Sequence, residues 1–234
     1  MARAGHLRSL SSLNRTDLEF LLLLTAGWDQ IDLRPRRLAA RRVAVIDHSV
    51  DDELDVALHV AAQAASVQLV RVPPALARDS ERAAPIIGPV MDALLLADPL
   101  GVNEEWYEQS HLPVFNLMGP SGAPLDVVGQ LHGHLVGGGA IHRMRVTWNG
   151  PAAPALRSWV EATSGLAITV TQVAHGSDID RQLLAQLEAE GQQGRFECVS
   201  EAPAESDLDA RRPLDLRTRA CVIAAVLEFG LHVA

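Results

Sequence analysis

The chain contains no lysine: all 20 of its basic residues are arginine. Schiff-base chemistry and the lysine-dependent phosphate loop are therefore excluded. Cysteine is nearly as scarce. Cys198 and Cys221 are the only two, too few for a disulfide framework, and a reducing cytoplasm fits them best. Aromatic residues make up only 4% of the sequence. No long hydrophobic run is present. The richest, around Phe20–Leu24, is far too short to span a bilayer, and no basic segment followed by an apolar one opens the chain. Neither a membrane nor export is expected. Basic charge is also outnumbered. A net charge of −9, with no arginine cluster exceeding its acidic surroundings, argues against nucleic acid as a partner.

What is present is a globular composition. Of 234 residues, 48% are apolar and 21% charged, enough for one large or two small cores and too apolar for disorder. Strand-like and helix-like segments alternate, the pattern of parallel sheets covered by helices. Asn14 and Asp17 are placed to cap a first helix reciprocally, with Leu13 and Leu18 packing across the cap. Leu18, Leu21, Leu22, Thr25 and Trp28 then form one helical stripe. Strands are predicted at Val43–Asp47, Val67–Val72, Ala93–Ala97 and Pro113–Asn116. Helices are predicted over Asp51–Ala65, Ser80–Asp92 (distorted by Pro85 and Pro89) and Asn103–Ser110. A helix from Pro124 to about Leu135 ends at Gly137-Gly138-Gly139, a stop signal and hinge. Beyond it come strands at Met144–Trp148, Ala167–Val173 and Arg195–Ser200, with helices at Pro151–Thr163 and Asp178–Glu190. An acidic loop covers Glu201–Pro213, and an apolar helix from Leu214 to about Leu231 closes the pattern.

Five segments together resemble the aspartate/ornithine carbamoyltransferases. They are His6-Leu7-Arg8-Ser9-Leu10, Val43–Ala62, Leu112–Leu135, Val146–Thr163 and Arg217–Leu231, matched by apolar pattern and element order. The resemblance implies an α/β fold of two parallel-sheet lobes. Residues 1–136 would form a carbamoyl-phosphate-type lobe and 140–213 a shortened amino-acid-type lobe of βαβαβ form. The helix at 214–231 would return to the first lobe. It also implies a homo-oligomer, a trimer, with a role in amino acid metabolism.

The signature residues depart from that family. Its Ser-x-Arg-Thr-Arg phosphate loop falls on Asp51, Glu53, Leu54 and Asp55. Anion binding at a helix start uses free N–H groups, hydroxyls and guanidinium forks. Carboxylates within about 4–6 Å repel a dianion instead. Ala97 stands where a further family arginine acts, and the His-Pro-x-Gln motif reads Ala123-Pro124-Leu125-Asp126. The substrate-holding asparagines fall on Ala153 and Pro154. The family's later strands and its His-Cys-Leu-Pro motif have no counterpart, and Cys198 lies outside that context. Loss of one oxyanion donor alone costs ~10²–10³ in rate. The expectation is a degenerate, truncated relative without ordinary carbamoyl transfer. It would serve as a structural or regulatory partner in a homo-oligomer, or co-assembled with an active paralogue.

The alternative is a repurposed enzyme, with Asp51, Glu53, Asp55 and Asp126 holding a small cationic or amine ligand and His48 or a carboxylate as base. Acids at a helix start also cap it, contributing ~0.3–1 kcal/mol each, and capping is the stronger reading because helix starts collect acids routinely. His132, His134 and His142 surround the glycine hinge, but residues two apart on a helix point in different directions, so no metal is assigned. No dinucleotide fingerprint follows any strand, and no cofactor is expected.

Overall fold

The computed structural model describes residues 6–30, 38–47, 51–101, 104–120, 122–179, 181–189, 195–203 and 205–233. Helix α1 (Arg15–Gln30) begins as its cap residues dictate. The Asn14 N–H donates to Asp17 Oδ2 at 3.2 Å, and the Asp17 N–H to Asn14 Oδ1 at 3.0 Å. Its buried residues are the stripe the spacing predicts: Leu18, Leu21, Leu22, Thr25 and Trp28.

The first sheet comprises β1 (Arg42–Asp47), β2 (Gln68–Arg71), β3 (Ala93–Ala97) and β4 (Val114–Met118), in the order β2-β1-β3-β4, with every pairing parallel. Every residue of β3 is buried, as expected of a central parallel strand. Ahead of α1, Leu7 bridges to Phe115 and so extends this sheet at the β4 edge. The connections are α2 (Asp52–Ala65), two short helices α3 (Pro74–Ala77) and α4 (Ser80–Ile87), and α5 (Trp106–Gln109). The single helix expected over Ser80–Asp92 is thus interrupted. It passes into a tighter turn at Gly88–Val90, where Pro89 offers no N–H. The helix expected from Asn103 covers only Trp106–Gln109, and Asn103 itself lies outside the described residues.

Helix α6 (Pro124–Val136) leads to the second sheet, built from β5 (Arg145–Asn149), β6 (Thr169–Val173), β7 (Phe196–Val199) and β8 (Leu208–Asp209). Helices α7 (Pro154–Gly165) and α8 (Arg181–Ala189) connect its first three strands. The order is β7-β6-β5-β8, again all parallel. This corrects the expectation of a three-stranded lobe followed by a plain loop. Two residues of the acidic segment, Leu208 and Asp209, pair with Val146 and Thr147.

The last helix, α9 (Leu216–Val233), packs against α1, α2 and α6 of the first lobe. Residues Ala220–Leu227 are buried throughout. A helix apolar all round is a core helix, and this one is wedged among three others. One continuous apolar cluster runs from Leu7 through both lobes to Leu227.

Candidate functional site

In an open parallel sheet, ligands lie beyond the carboxyl ends of strands where the chain's direction of winding reverses. In the first sheet that point falls between β1 and β3. The loop after β1 leads to the start of α2, and there the acidic residues lie.

Asp51 is the N-cap of α2. Its Oδ1 accepts the Glu53 N–H at 3.0 Å and the Leu54 N–H at 3.1 Å. Its Oδ2 accepts from Arg219 Nη1 at 2.8 Å. The same nitrogen lies 3.8 Å from Glu53 Oε2, whose own side chain is mostly exposed. Burial alone would raise the Asp51 carboxyl. The bonds from the Leu54 N–H and Arg219 outweigh it and hold the group below the ordinary aspartate value.

Arg219 belongs to the first turn of α9, which Asp215 caps by accepting the Thr218 N–H at 2.8 Å. A cation at a helix start opposes the dipole. It is held there by acids at another helix start, Asp51 before α2 and Glu53 in the first turn of α2. The Arg219 side chain is only 15% exposed, and its Nε is buried with no hydrogen-bond partner among the described residues. Asp126 is half-buried and accepts no hydrogen bond from a described residue. Burial raises its pKa, the Asp51 charge adds to the rise, and Arg219 opposes it.

Asp51 and Glu53 are therefore brought together around a cation that the chain itself supplies, and Asp126 lies near enough to feel its charge and that of Asp51. Asp55 is not part of that group. It pairs with Arg71 at the end of β2 and with His59, whose Nδ1 lies 3.3 Å away. His48 lies outside the described residues.

The other resemblance positions are equally plain in chemistry. Ala97 ends β3, and Ala123 precedes α6 with its N–H donating to Ser158 Oγ at 2.9 Å. Gly122, at φ 154°, passes so close to Ser158 that an added Cβ would collide with the hydroxyl. One turn along α7, Glu161 Oε2 accepts the Leu10 N–H at 3.1 Å. These two bonds tie α7 of the second lobe to the first. Burial pushes the Glu161 carboxyl up to about 7, against the pull of the Leu10 and Ser11 N–H groups and Arg157.

The histidines near the hinge do not converge. His132 is buried, with Nε2 3.3 Å from Asp29, while His134 faces the Ala140 carbonyl at 3.4 Å. Among the described residues, no group of three or more His, Cys, Asp or Glu is arranged to hold a metal ion. Nor is any described helix long and apolar enough to cross a membrane. Sequence reasoning missed Arg219 and Glu161. For Arg219 a signal existed in Asp215-x-x-Thr218, a helix start that places the arginine on the first turn.

No protein-family model and no curated protein sequence matches the chain. Solved structures do. The ornithine carbamoyltransferase of Gloeobacter violaceus superposes with a TM-score of 0.77 at 16% identity, covering 97% of this chain and 98% of that one. That of Campylobacter jejuni gives 0.75 at 13%, covering 96% and 98%. That of Thermus thermophilus gives 0.74 at 15%, covering 95% and 97%. The chain has the ornithine carbamoyltransferase fold. At such identities the likeness concerns the path of the backbone, and the side chains at the start of α2 have to be read for themselves. On this carbamoyltransferase fold they form an ion pair internal to the protein.

Proposed function

We propose that this chain is a carbamoyltransferase-fold protein that does not perform ordinary carbamoyl transfer. It works as a structural or regulatory partner in an oligomer, a cytoplasmic trimer of its own copies or a co-assembly with an active paralogue in amino acid metabolism. Residues 1–136 together with 214–231 act as one lobe, and 140–213 as the other.

The observation that carries this reading is the state of the α2 N-terminus. An anion bound at a helix start needs free N–H groups and cations directed at it. Here the Glu53 and Leu54 N–H groups are already taken by the Asp51 carboxylate. The nearest guanidinium, Arg219, is bound to that same carboxylate. A doubly negative donor entering this place meets the Asp51 and Glu53 charges, with the Glu53 and Leu54 N–H groups and Arg219 Nη1 already engaged by Asp51. The same arrangement leaves little work for a cationic ligand, because Arg219 already serves as one for Asp51 and Glu53.

The test is an assay of the purified chain with carbamoyl phosphate and either ornithine or aspartate, following release of phosphate and formation of carbamoylated product. No product above the uncatalysed rate is expected. Turnover that disappears on substituting residues of this site overturns the reading. Light scattering checks the assembly, and a monomer at every concentration refutes the oligomer.

A further inference from the structure

The seam between the lobes has α7 on one side and, on the other, the chain before α1 and the turn before α6. The chain before α1 winds into one tight turn at Leu10–Ser12. Ser9 precedes that turn, but its side chain caps no N–H, and its hydroxyl meets Ser11 Oγ instead. The cap comes from the other lobe, 151 positions away in sequence, where Glu161 Oε2 accepts the Leu10 N–H at 3.1 Å. The Ser11 N–H acts on the same carboxyl. A Cβ built at Gly122 would lie 3.9 Å from that same oxygen, so three segments converge on Glu161.

Asp51 caps α2 with a guanidinium bonded to it and titrates low. Glu161 is a cap of the opposite kind. The cation acting on it is Arg157 of its own helix, and burial outweighs it. Charged residues on the facing elements are engaged elsewhere. Arg8 pairs with Glu104, Arg15 with Glu19, and Asp17 accepts the Asn14 N–H. On α6, Asp126 lies in the field of Arg219, and His132 pairs with Asp29. Gly122 and Ala123 bring no charge. Ionisation therefore places in the seam a charge that two N–H groups and Arg157 do not offset. A neutral carboxyl still accepts the Leu10 N–H through its carbonyl oxygen.

We propose that Glu161 is a pH-operated latch between the lobes: with its carboxyl neutral the chain before α1 is held against α7, and with it ionised the two part at Leu10–Ser12. In the parted state the carboxylate is hydrated and titrates as an ordinary glutamate. The latch is independent of the α2 terminus and of whether the chain catalyses anything.

Thermolysin cuts ahead of leucine. Leu10 is 1% exposed, so the Ser9–Leu10 bond is cut only when this turn leaves the seam. Cleavage then follows the population of the open form. The experiment measures, by mass spectrometry, the rate at which the fragment beginning at Leu10 is released at about pH 6 and pH 8, relative to cleavage of a synthetic peptide of residues 6–16 at each pH. A carboxyl at about 7 when latched and 4.5 when open makes opening roughly tenfold more frequent at the higher pH. Glu161→Gln, neutral at both, should keep the slow rate throughout. If that variant does not fold, the parent protein labelled with ¹³C at glutamate Cδ provides the test, because one glutamate should titrate at about 7. An equal rise in Glu161→Gln, no rise in the parent, or every glutamate titrating at its ordinary value would each overturn the latch.

Discussion

Arg219 Nη1 lies 2.8 Å from Asp51 Oδ2, joining residues 168 positions apart. The bond fastens the last helix to the start of α2, and Glu53 and Asp126 lie within reach of the same charge. Removing the guanidinium leaves partly buried carboxylates facing one another. Arg219→Met should therefore destabilise the protein by about 2–4 kcal/mol, since breaking a buried pair strands its partner. For a chain of this size the melting temperature should fall by roughly 5–12 °C. The pH dependence has a definite sign. Asp51 titrates below its ordinary value, so its contribution is present above the normal aspartate range and is lost as the pH falls through the lowered value. In Arg219→Met that loss should begin at higher pH. Urea melts across the acid range check both, and an unchanged melting temperature would refute the pairing.

Glu161 should produce the opposite dependence. Burial pushes its carboxyl up to about 7 from 4.5, so the native protein holds the proton more tightly than the unfolded chain. Its contribution is complete below the ordinary glutamate value and is lost as the pH rises through about 7. Stability should decline between about pH 5 and 8 by this route, and Glu161→Gln should flatten that decline. Because Glu161 binds the Leu10 N–H, the affected contact is the one between α7 and the chain before α1. Urea melts of the parent and the variant at about pH 5 and pH 8 check this, and an equal decline in both would refute it.

The elements legible in the sequence are those whose causes are local. Asn14 and Asp17 cap α1 from three residues apart, and the stripe from Leu18 to Trp28 needs only the helical period. Asp51 likewise caps α2 from two and three residues away, which is why capping could be weighed against ligand binding before any contact was known. The strand at Leu208–Asp209 is a different case. Two residues have no period, and they become a strand only because β5 offers an unpaired edge. Arg219 was hidden for a similar reason. Nothing around it in the sequence indicates that its partners lie at the start of α2. The burial of Glu161 depends on the packing of α7 against the turn at Leu10–Ser12, which no pattern within α7 reveals.

The two cysteines should differ sharply in reactivity. Cys221 is fully buried in α9, and burial pushes its thiol up to about 11. A thiol so protonated and enclosed is a poor nucleophile at neutral pH. Cys198 is half-buried on β7, with its sulfur 3.4 Å from Gln172 Oε1. Native protein treated with iodoacetamide should therefore carry at most one label, on Cys198, and urea-unfolded protein two. Labelling of Cys221 in the native state would show that α9 leaves the core readily.

Helix α9 lies close against the first sheet at Gly230, where an added Cβ would overlap the ring of Phe115 on β4. Phe115 is 1% exposed and cannot swing into solvent without opening the core. Alanine is the better helix former by about 1 kcal/mol, so on propensity alone Gly230→Ala would stabilise α9. Contact reverses the sign. Overpacking typically costs about 1–3 kcal/mol, so a net loss is expected in a urea melt. Pairing the substitution with Phe115→Leu, which removes part of the obstructing ring, should recover some of that loss. If Gly230→Ala instead stabilises the protein, α9 does not lie in contact with the Phe115 ring.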